Sequence, residues 1–170
     1  AGAAYTAVKA ATKPQQGLTN FVISGFTGVV GSSAYLSDDN MDVIAGGGGW
    51  ILINDGKGLP IYCRHQLTTD VTSIQVREFS ITSILDHMAK MQRNDLRQFI
   101  GTTNITQNLL DRINMVIEGE FNFLINTLGS LKSARKLELY QDPKNPDTVI
   151  LSELVEVPYP VNKIMVNIIL

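Results

Sequence analysis

Cysteine and histidine are almost absent from this chain, and their scarcity excludes several kinds of site. The 170 residues include one cysteine, Cys63, and two histidines, His65 and His87. A single cysteine cannot form a disulfide within the chain, and these three residues are too few for a zinc site of cysteines and histidines. We therefore expect no bound metal, and no motif indicates a cofactor.

An excess of basic residues is also missing. The 14 lysines and arginines are outnumbered by 16 aspartates and glutamates, so the net charge is -2. Such a chain offers no positive field to hold the phosphates of a nucleic acid. It also lacks an apolar run approaching the roughly 20 residues of a membrane-spanning helix. We expect neither nucleic-acid binding nor direct membrane insertion.

Apolar residues are plentiful by contrast, at 44% of the chain. This content and a length of 170 residues suit one domain, or one domain with part of another. Because the first residue is Ala1 rather than Met, we expect the chain to be a fragment or a processed product.

The first 49 residues predict two short helices joined by an irregular segment. The alanine-rich stretch Ala3–Thr12 favours a helix, and the glycine-rich stretch Gln15–Gly31 predicts an outward-lying connector. Ser37 is a typical cap for a second helix over Asp38–Ala45. The glycines Gly46–Gly49 should end that helix, and we expect them to act as a hinge.

Two hairpins and two long helices are predicted after residue 49. The hairpins pair Trp50–Asn54 with Leu59–His65, through an Asp-Gly turn, and Leu137–Tyr140 with Thr148–Val157. The helices run from Ser73 or Gln75 to Ile100, and from a cap at Thr106 to about Leu128. Their short connection predicts an antiparallel pair. The resulting prediction is an α+β fold in which two long antiparallel helices pack on a small, mostly antiparallel β-sheet.

Two candidate sites for chemistry are weak. The segment Gly46–Gly58 contains glycines and a lysine but fails as a phosphate loop, because Ile51 stands where a glycine is needed and Gly58 where a serine or threonine is needed. Cys63, His65 and Asp70 could supply a nucleophile and a base. Strand neighbours two residues apart rarely align for proton transfer, so we predict that the protein is not an enzyme.

A cationic run lies near one side of the first long helix, formed by Lys90, Arg93 and Arg97. Such a run is usually a solvated face. The alternative is a docking stripe for an acidic partner.

The last ten residues predict a strand that needs a partner. In Val161–Leu170, one face consists of Ile164, Val166, Ile168 and Leu170, and Val161 and Lys163 lie on the other. The unpaired backbone edge of such an apolar strand tends to pair with other strands. The prolines Pro158 and Pro160 form a stiff lead-in. We expect this strand to pair with its own sheet or with that of a neighbouring subunit.

Several stretches together resemble the C-terminal region of a contractile tail sheath protein, from a phage or a related contractile injection particle. The resemblance covers most of residues 15–170. It is carried by Gln16–Thr19, Tyr62–Asp70, Arg77–Glu78, Ile100–Thr106 and Tyr159–Ile164.

The resemblance implies a division into three segments. Residues 1–49 would be the end of a preceding sheath domain and a connector, and residues 50–157 the C-terminal sheath domain. Residues 158–170 would form an arm strand donated to a neighbouring subunit, so that the sheet is completed by strands exchanged between subunits. Members of this family are much longer, with an N-terminal arm and outer domains before this region.

The implied function is structural. Subunits polymerise around an inner tube as stacked rings and contract to drive the tube through the host envelope. The implied partners are further copies of the chain, the inner tail tube protein, and baseplate and tail terminator proteins. The location would be the virion tail, assembled in the host cytoplasm, with Lys90, Arg93 and Arg97 expected to face the tube. The alternatives are a non-polymerising tail or baseplate adaptor that binds a peptide strand, and an enzyme that depends on Cys63.

Overall fold

The computed structural model describes residues 2–26, 37–55 and 58–167. Within these ranges the fold is α+β, with helices and two separate two-stranded antiparallel sheets. The helices are α1 (Gly2–Ala11), α2 (Asp38–Gly46), α3 (Ile74–Arg77), α4 (Phe79–Leu96) and α5 (Gln107–Asn122). The strands are β1 (Leu52–Ile53), β2 (Tyr62–Cys63), β3 (Ser133–Gln141) and β4 (Val149–Glu156). Part of the predicted connector, the turn residues Gly56 and Lys57, and the arm residues Ile168 and Leu170 lie outside the described residues.

The chain divides into two compact units. The first comprises Ala1–Ser83 with Tyr159–Leu170, and the second comprises Ile84–Pro158. Residues 1–49 and 50–83 therefore share a unit, although the resemblance implied a boundary between them. The assignment of the three predicted segments to parts of a sheath protein stays a prediction.

The first unit is held together by a small apolar core. Tyr5 of α1, Leu18 and Cys63 of β2 are buried, and Trp50 packs edge-on against Tyr5 with ring centroids 6.0 Å apart. The expectation of an outward-lying connector is wrong here, since Leu18 is 0% exposed. The backbone of the connector is paired as well, because Thr19 forms a bridge to Cys63. Burial of Leu18 in this core holds the segment against β2.

The short helix α2 follows the sequence closely. The Ser37 side chain accepts a hydrogen bond from the Asn40 amide, and the helix ends at the predicted glycines. The first hairpin is also present, with Leu52 opposite Cys63 and Ile53 opposite Tyr62. Its strands are shorter than predicted, with two residues each.

The first long helix is interrupted where the sequence predicted continuity. Glu78 adopts an extended conformation, with φ -79° and ψ 113°, and separates α3 from α4. It forms a β-bridge with Leu67, and the Thr68 amide donates to the Arg77 carbonyl over 2.8 Å. Tertiary pairing with residues 67 and 68 therefore breaks the helix at one residue. At the other end α4 stops at Leu96 and is followed by a short 3₁₀ turn, Arg97–Phe99.

The second unit has the larger core. Ile84 and Met88 of α4 and Ile113 and Ile117 of α5 are buried in one cluster, against which the inner residues of β3 and β4 pack. The predicted cap of α5 is present, because the Thr106 hydroxyl accepts from the Leu109 amide. A π-helical segment, Phe123–Thr127, continues α5 almost to the predicted end.

The first strand of the second hairpin is longer than predicted, whereas the second strand lacks one residue of the predicted range at each end. Strands β3 and β4 pair antiparallel from Ser133 opposite Glu156 to Gln141 opposite Val149. The register shifts between Lys136 and Glu138, so that Leu137 is left as a bulge and is half exposed. A bulge increases the local twist of a strand.

Candidate functional site

The described part of the predicted arm, residues 161–167, exposes its apolar side chains. Val161, Ile164, Met165 and Val166 are 74–80% exposed, and none of residues 157–167 lies in a strand. The predicted strand is therefore not formed in the described part of the arm. A strand needs a partner for its backbone groups, and no strand within the described ranges pairs with this segment.

The first residues of the arm are nevertheless attached to the first unit. The Asn162 side-chain amide donates a hydrogen bond of 3.0 Å to Oε1 of Glu78. Asn162 itself lies at the surface, whereas Glu78 is 0% exposed. This contact joins the beginning of the arm to the residue that separates α3 from α4.

Glu78 is a buried carboxylate with several donors around it. His65 Nε2 lies 3.1 Å from its Oε2, and Arg77 Nη2 lies 3.5 Å from its Oε1. A buried carboxylate is stable only where such donors and positive charges compensate for lost hydration. The extended backbone at Glu78 directs its side chain toward these partners instead of along a helix face.

Three of the stretches that carry the sequence resemblance meet at this carboxylate. His65 belongs to Tyr62–Asp70, Glu78 to the Arg77–Glu78 pair, and Asn162 to Tyr159–Ile164. These stretches carry the resemblance, but no local pattern in the sequence indicates a role for Glu78 or Asn162. The resemblance was the only signal for them, because a contact between residues 84 positions apart has no local pattern.

The second hairpin offers free strand edges. Within the described residues β3 and β4 pair only with each other. Leu137 and Leu154 on these strands are half exposed. Unpaired backbone groups beside exposed apolar side chains are what an added strand requires.

Cys63 does not form a catalytic pair with His65. The thiol is 0% exposed in the core of the first unit, and burial raises its pKa to about 11. His65 is hydrogen-bonded to Glu78, and Asp70 accepts from Thr72 in a local turn. A buried, protonated thiol is a poor nucleophile.

The predicted cationic side chains are accessible. Lys90, Arg93 and Arg97 are all exposed, and none of them forms an ion pair within the described ranges. Over the same ranges no group of three or more potential ligands that could hold a metal ion occurs. None of the described helices is long and apolar enough to span a membrane.

No protein-family model matches the chain, and no curated protein does either. Solved structures do match. The fold is that of contractile tail sheath proteins.

One similar structure is the helical sheath of the anti-feeding prophage (AFP) in its contracted state, with a TM-score of 0.77 at 11% sequence identity. That match covers 98% of this chain and 48% of the sheath chain. Another is the sheath tail protein Lin1278 from Listeria innocua, with a TM-score of 0.72 at 16% identity, over 88% of this chain and 36% of that one. The chain therefore spans about half or less of the sheath proteins that it resembles.

Proposed function

We propose that the chain is part of a structural subunit of a contractile tail sheath and that its arm, Val161–Leu170, is donated as a strand to a neighbouring subunit. One observation supports this above all: an apolar segment without a strand partner, in the described residues, extends from a chain with a sheath fold. The free edges of β3 and β4 are the acceptor that we favour.

The energetics suit a polymer better than an isolated pair. Burial of Ile164 and Val166 in an acceptor groove would contribute roughly 1.5–3 kcal/mol for each side chain. Association of two free molecules costs about 4–15 kcal/mol. A single junction is therefore marginal, whereas many junctions in one ring reinforce each other because later contacts become effectively intramolecular.

The partners follow from the proposed role. Further copies of the chain would form stacked rings around an inner tail tube, with Lys90, Arg93 and Arg97 facing an acidic tube surface. Baseplate and tail terminator proteins would cap the ends. The assembly would belong to the tail of a virion or tail-like particle, and contraction would drive the tube through the host envelope.

Electron microscopy of the complete gene product, with and without residues 161–170, tests the proposal. We expect tubes or rings from the complete protein and none from a truncated protein that keeps the circular dichroism spectrum of the folded chain. Single particles of constant mass from both proteins, at all concentrations, would reject strand donation. They would favour the adaptor, in which the arm serves a different partner.

The enzyme alternative has a separate test, which is the rate at which Cys63 is alkylated. A thiol with a raised pKa in the core should react far more slowly than a free thiol. Rapid alkylation of the folded protein would reopen that alternative.

A further inference from the structure

We infer that Glu78 is a positioning residue that anchors the beginning of the arm through Asn162, and that this contact is built to be released. The anchor itself is a property of the single subunit. Its consequence for assembly rests on the proposed function.

Glu78 is held firmly on its own side of the contact. Its backbone amide donates to the Ile74 carbonyl over 3.3 Å, and its carbonyl accepts from the Ile81 amide over 3.0 Å. The bridge to Leu67 fixes the same backbone from the other direction. The carboxylate therefore has a defined position, while Asn162 belongs to a segment without secondary structure.

The carboxylate also keeps partners when Asn162 leaves. His65 lies on one oxygen, and Arg77 lies near the oxygen that Asn162 uses. An ionised carboxylate accepts several hydrogen bonds, so release of one amide does not leave a buried charge without partners. The free-energy change on forming or breaking the hydrogen bond from Asn162 to Glu78 is therefore small.

An anchored arm begins in a restricted range of directions. Less conformational entropy is then lost when the arm pairs with an acceptor, which strengthens each junction. Release of Asn162 would let the arm change direction while its far end stays bound. The hydrogen bond from Asn162 to Glu78 therefore controls the direction in which the arm leaves the rest of the subunit.

Limited proteolysis tests the anchor, because Lys163 follows Asn162 directly and is a trypsin site. Trypsin must bind the residues on both sides of the cleaved bond, including Asn162, so the rate of cleavage after Lys163 reports how often Asn162 leaves Glu78. The rates are measured on the folded chain at a dilution that gives the mass of one subunit. Each is divided by the rate for a synthetic peptide of residues 157–167 with the same sequence, which removes any direct effect of the substitution on trypsin.

For Asn162→Ala we expect this normalised rate to rise roughly fivefold or more, since a hydrogen bond to a charged group is lost. The matched control is Asn167→Ala, an exposed asparagine of the same arm with no side-chain hydrogen bond in the described residues. It should change the rate by less than about twofold. Equal rates for the unaltered chain and Asn162→Ala would overturn the inference, and so would an equal rise in the control.

A double substitution then links the anchor to Glu78. If the contact is the cause, adding Asn162→Ala to Glu78→Leu, which removes the acceptor oxygens, should raise cleavage less than it does in the unaltered chain. Additive effects would show that Asn162 acts elsewhere. Polymer formation is measured separately, for the unaltered protein and for Asn162→Ala. If the unaltered protein never polymerises, the proposed function is refuted. The proteolysis rates still test the anchor in that case.

Discussion

Glu120 is the most unusual residue of the second unit. It lies in α5, it is 6% exposed, and neither oxygen of its carboxylate accepts a hydrogen bond. Burial raises its pKa to about 8, and the carboxyl of Asp95 and the negative charge of Glu153 add to the effect. Two ionised carboxylates cannot donate to each other, whereas a protonated Glu120 can donate to Asp95. A pKa of about 8 favours the protonated form of Glu120 at neutral pH.

The first prediction is that the second unit becomes less stable as the pH rises, because Glu120 then loses its proton in a buried position. The folded-state pKa of about 8 lies above the ordinary glutamate value of 4.5. The contribution of Glu120 is thus most favourable below about pH 4.5, declines between about pH 4.5 and 8, and stays low above that range. Glu120→Gln should remove this decline and be more stable than the unaltered chain at pH 9, by an amount on the order of a few kcal/mol at most.

Urea unfolding followed by far-UV circular dichroism at several pH values checks this prediction. The control is Glu118→Gln, which changes an exposed glutamate of the same helix. A difference between Glu120→Gln and the unaltered chain that does not vary with pH would contradict it.

Gly48 shows why a glycine occupies this position after α2. Its φ is +78°, and a Cβ atom there would lie 2.3 Å from the Thr68 carbonyl oxygen. Glycine is required at this position because the backbone is left-handed and the Thr68 carbonyl leaves no room for a Cβ atom. The hinge expected at Gly46–Gly49 stays a prediction.

The second prediction concerns this close contact. Gly48→Ala should destabilise the first unit by about 2 kcal/mol or more, because the left-handed conformation alone costs roughly 1–2 kcal/mol for alanine and the clash adds to it. The chain has one tryptophan, Trp50, so its fluorescence during urea unfolding reports this unit. Gly119→Ala is the matched control, since a Cβ at this helical position meets nothing within 4 Å. Because Gly119 lies in the second unit, this variant is followed by far-UV circular dichroism, and it should stabilise α5 by about 0.5–1 kcal/mol.

At the scale of helices and strands, local sequence signals correctly predicted where two helices begin, but they did not predict where a helix is interrupted. The caps at Ser37 and Thr106 lie where the sequence placed them, because each depends on residues within one turn. The interruption at Glu78 could not be predicted, since α3 and α4 keep helical spacing and only the pairing of Glu78 with Leu67 breaks the helix. The extent of the strands was misjudged for the same reason. Pairing across a sheet decides where a strand ends.

The third prediction tests the cap of α5. Thr106→Ala removes the hydroxyl that accepts from the Leu109 amide and should cost about 1 kcal/mol. Thermal and urea unfolding, followed by circular dichroism, measure the loss. Thr127→Ala, at an exposed threonine without a described side-chain hydrogen bond, should change stability by less than about 0.5 kcal/mol. Equal losses for the two variants would show that the cap contributes nothing.

At the scale of the whole molecule, the apolar arm and the free sheet edges are complementary features. Each is unfavourable in an isolated subunit, since one exposes apolar side chains and the other exposes unpaired backbone groups. Pairing between subunits would resolve both. Residues 1–49 and 50–83 also belong together at this scale, through the core around Leu18.

The fourth prediction is a single substitution in the arm. Ile164→Asp places a charge on the face predicted to enter the acceptor, and it should raise the protein concentration needed for polymer formation by roughly tenfold or more. Asn167→Asp adds the same charge to the opposite face and should have a much smaller effect. Light scattering against concentration measures both thresholds. Identical thresholds for the two variants would mean that the arm does not enter an apolar site by this face.

The α+β class, the two hairpins, the helix caps and the apolar character of the arm can be predicted from the amino-acid sequence. These depend on residue periodicity and on neighbours within a few positions, which are local properties of a chain. Tertiary contacts are responsible for three further features: the burial of Leu18 beside Cys63, the interruption of a helix at Glu78, and the hydrogen bond from Asn162 to Glu78. Such contacts join residues tens of positions apart, and their free energy depends on burial and pairing that no local pattern records.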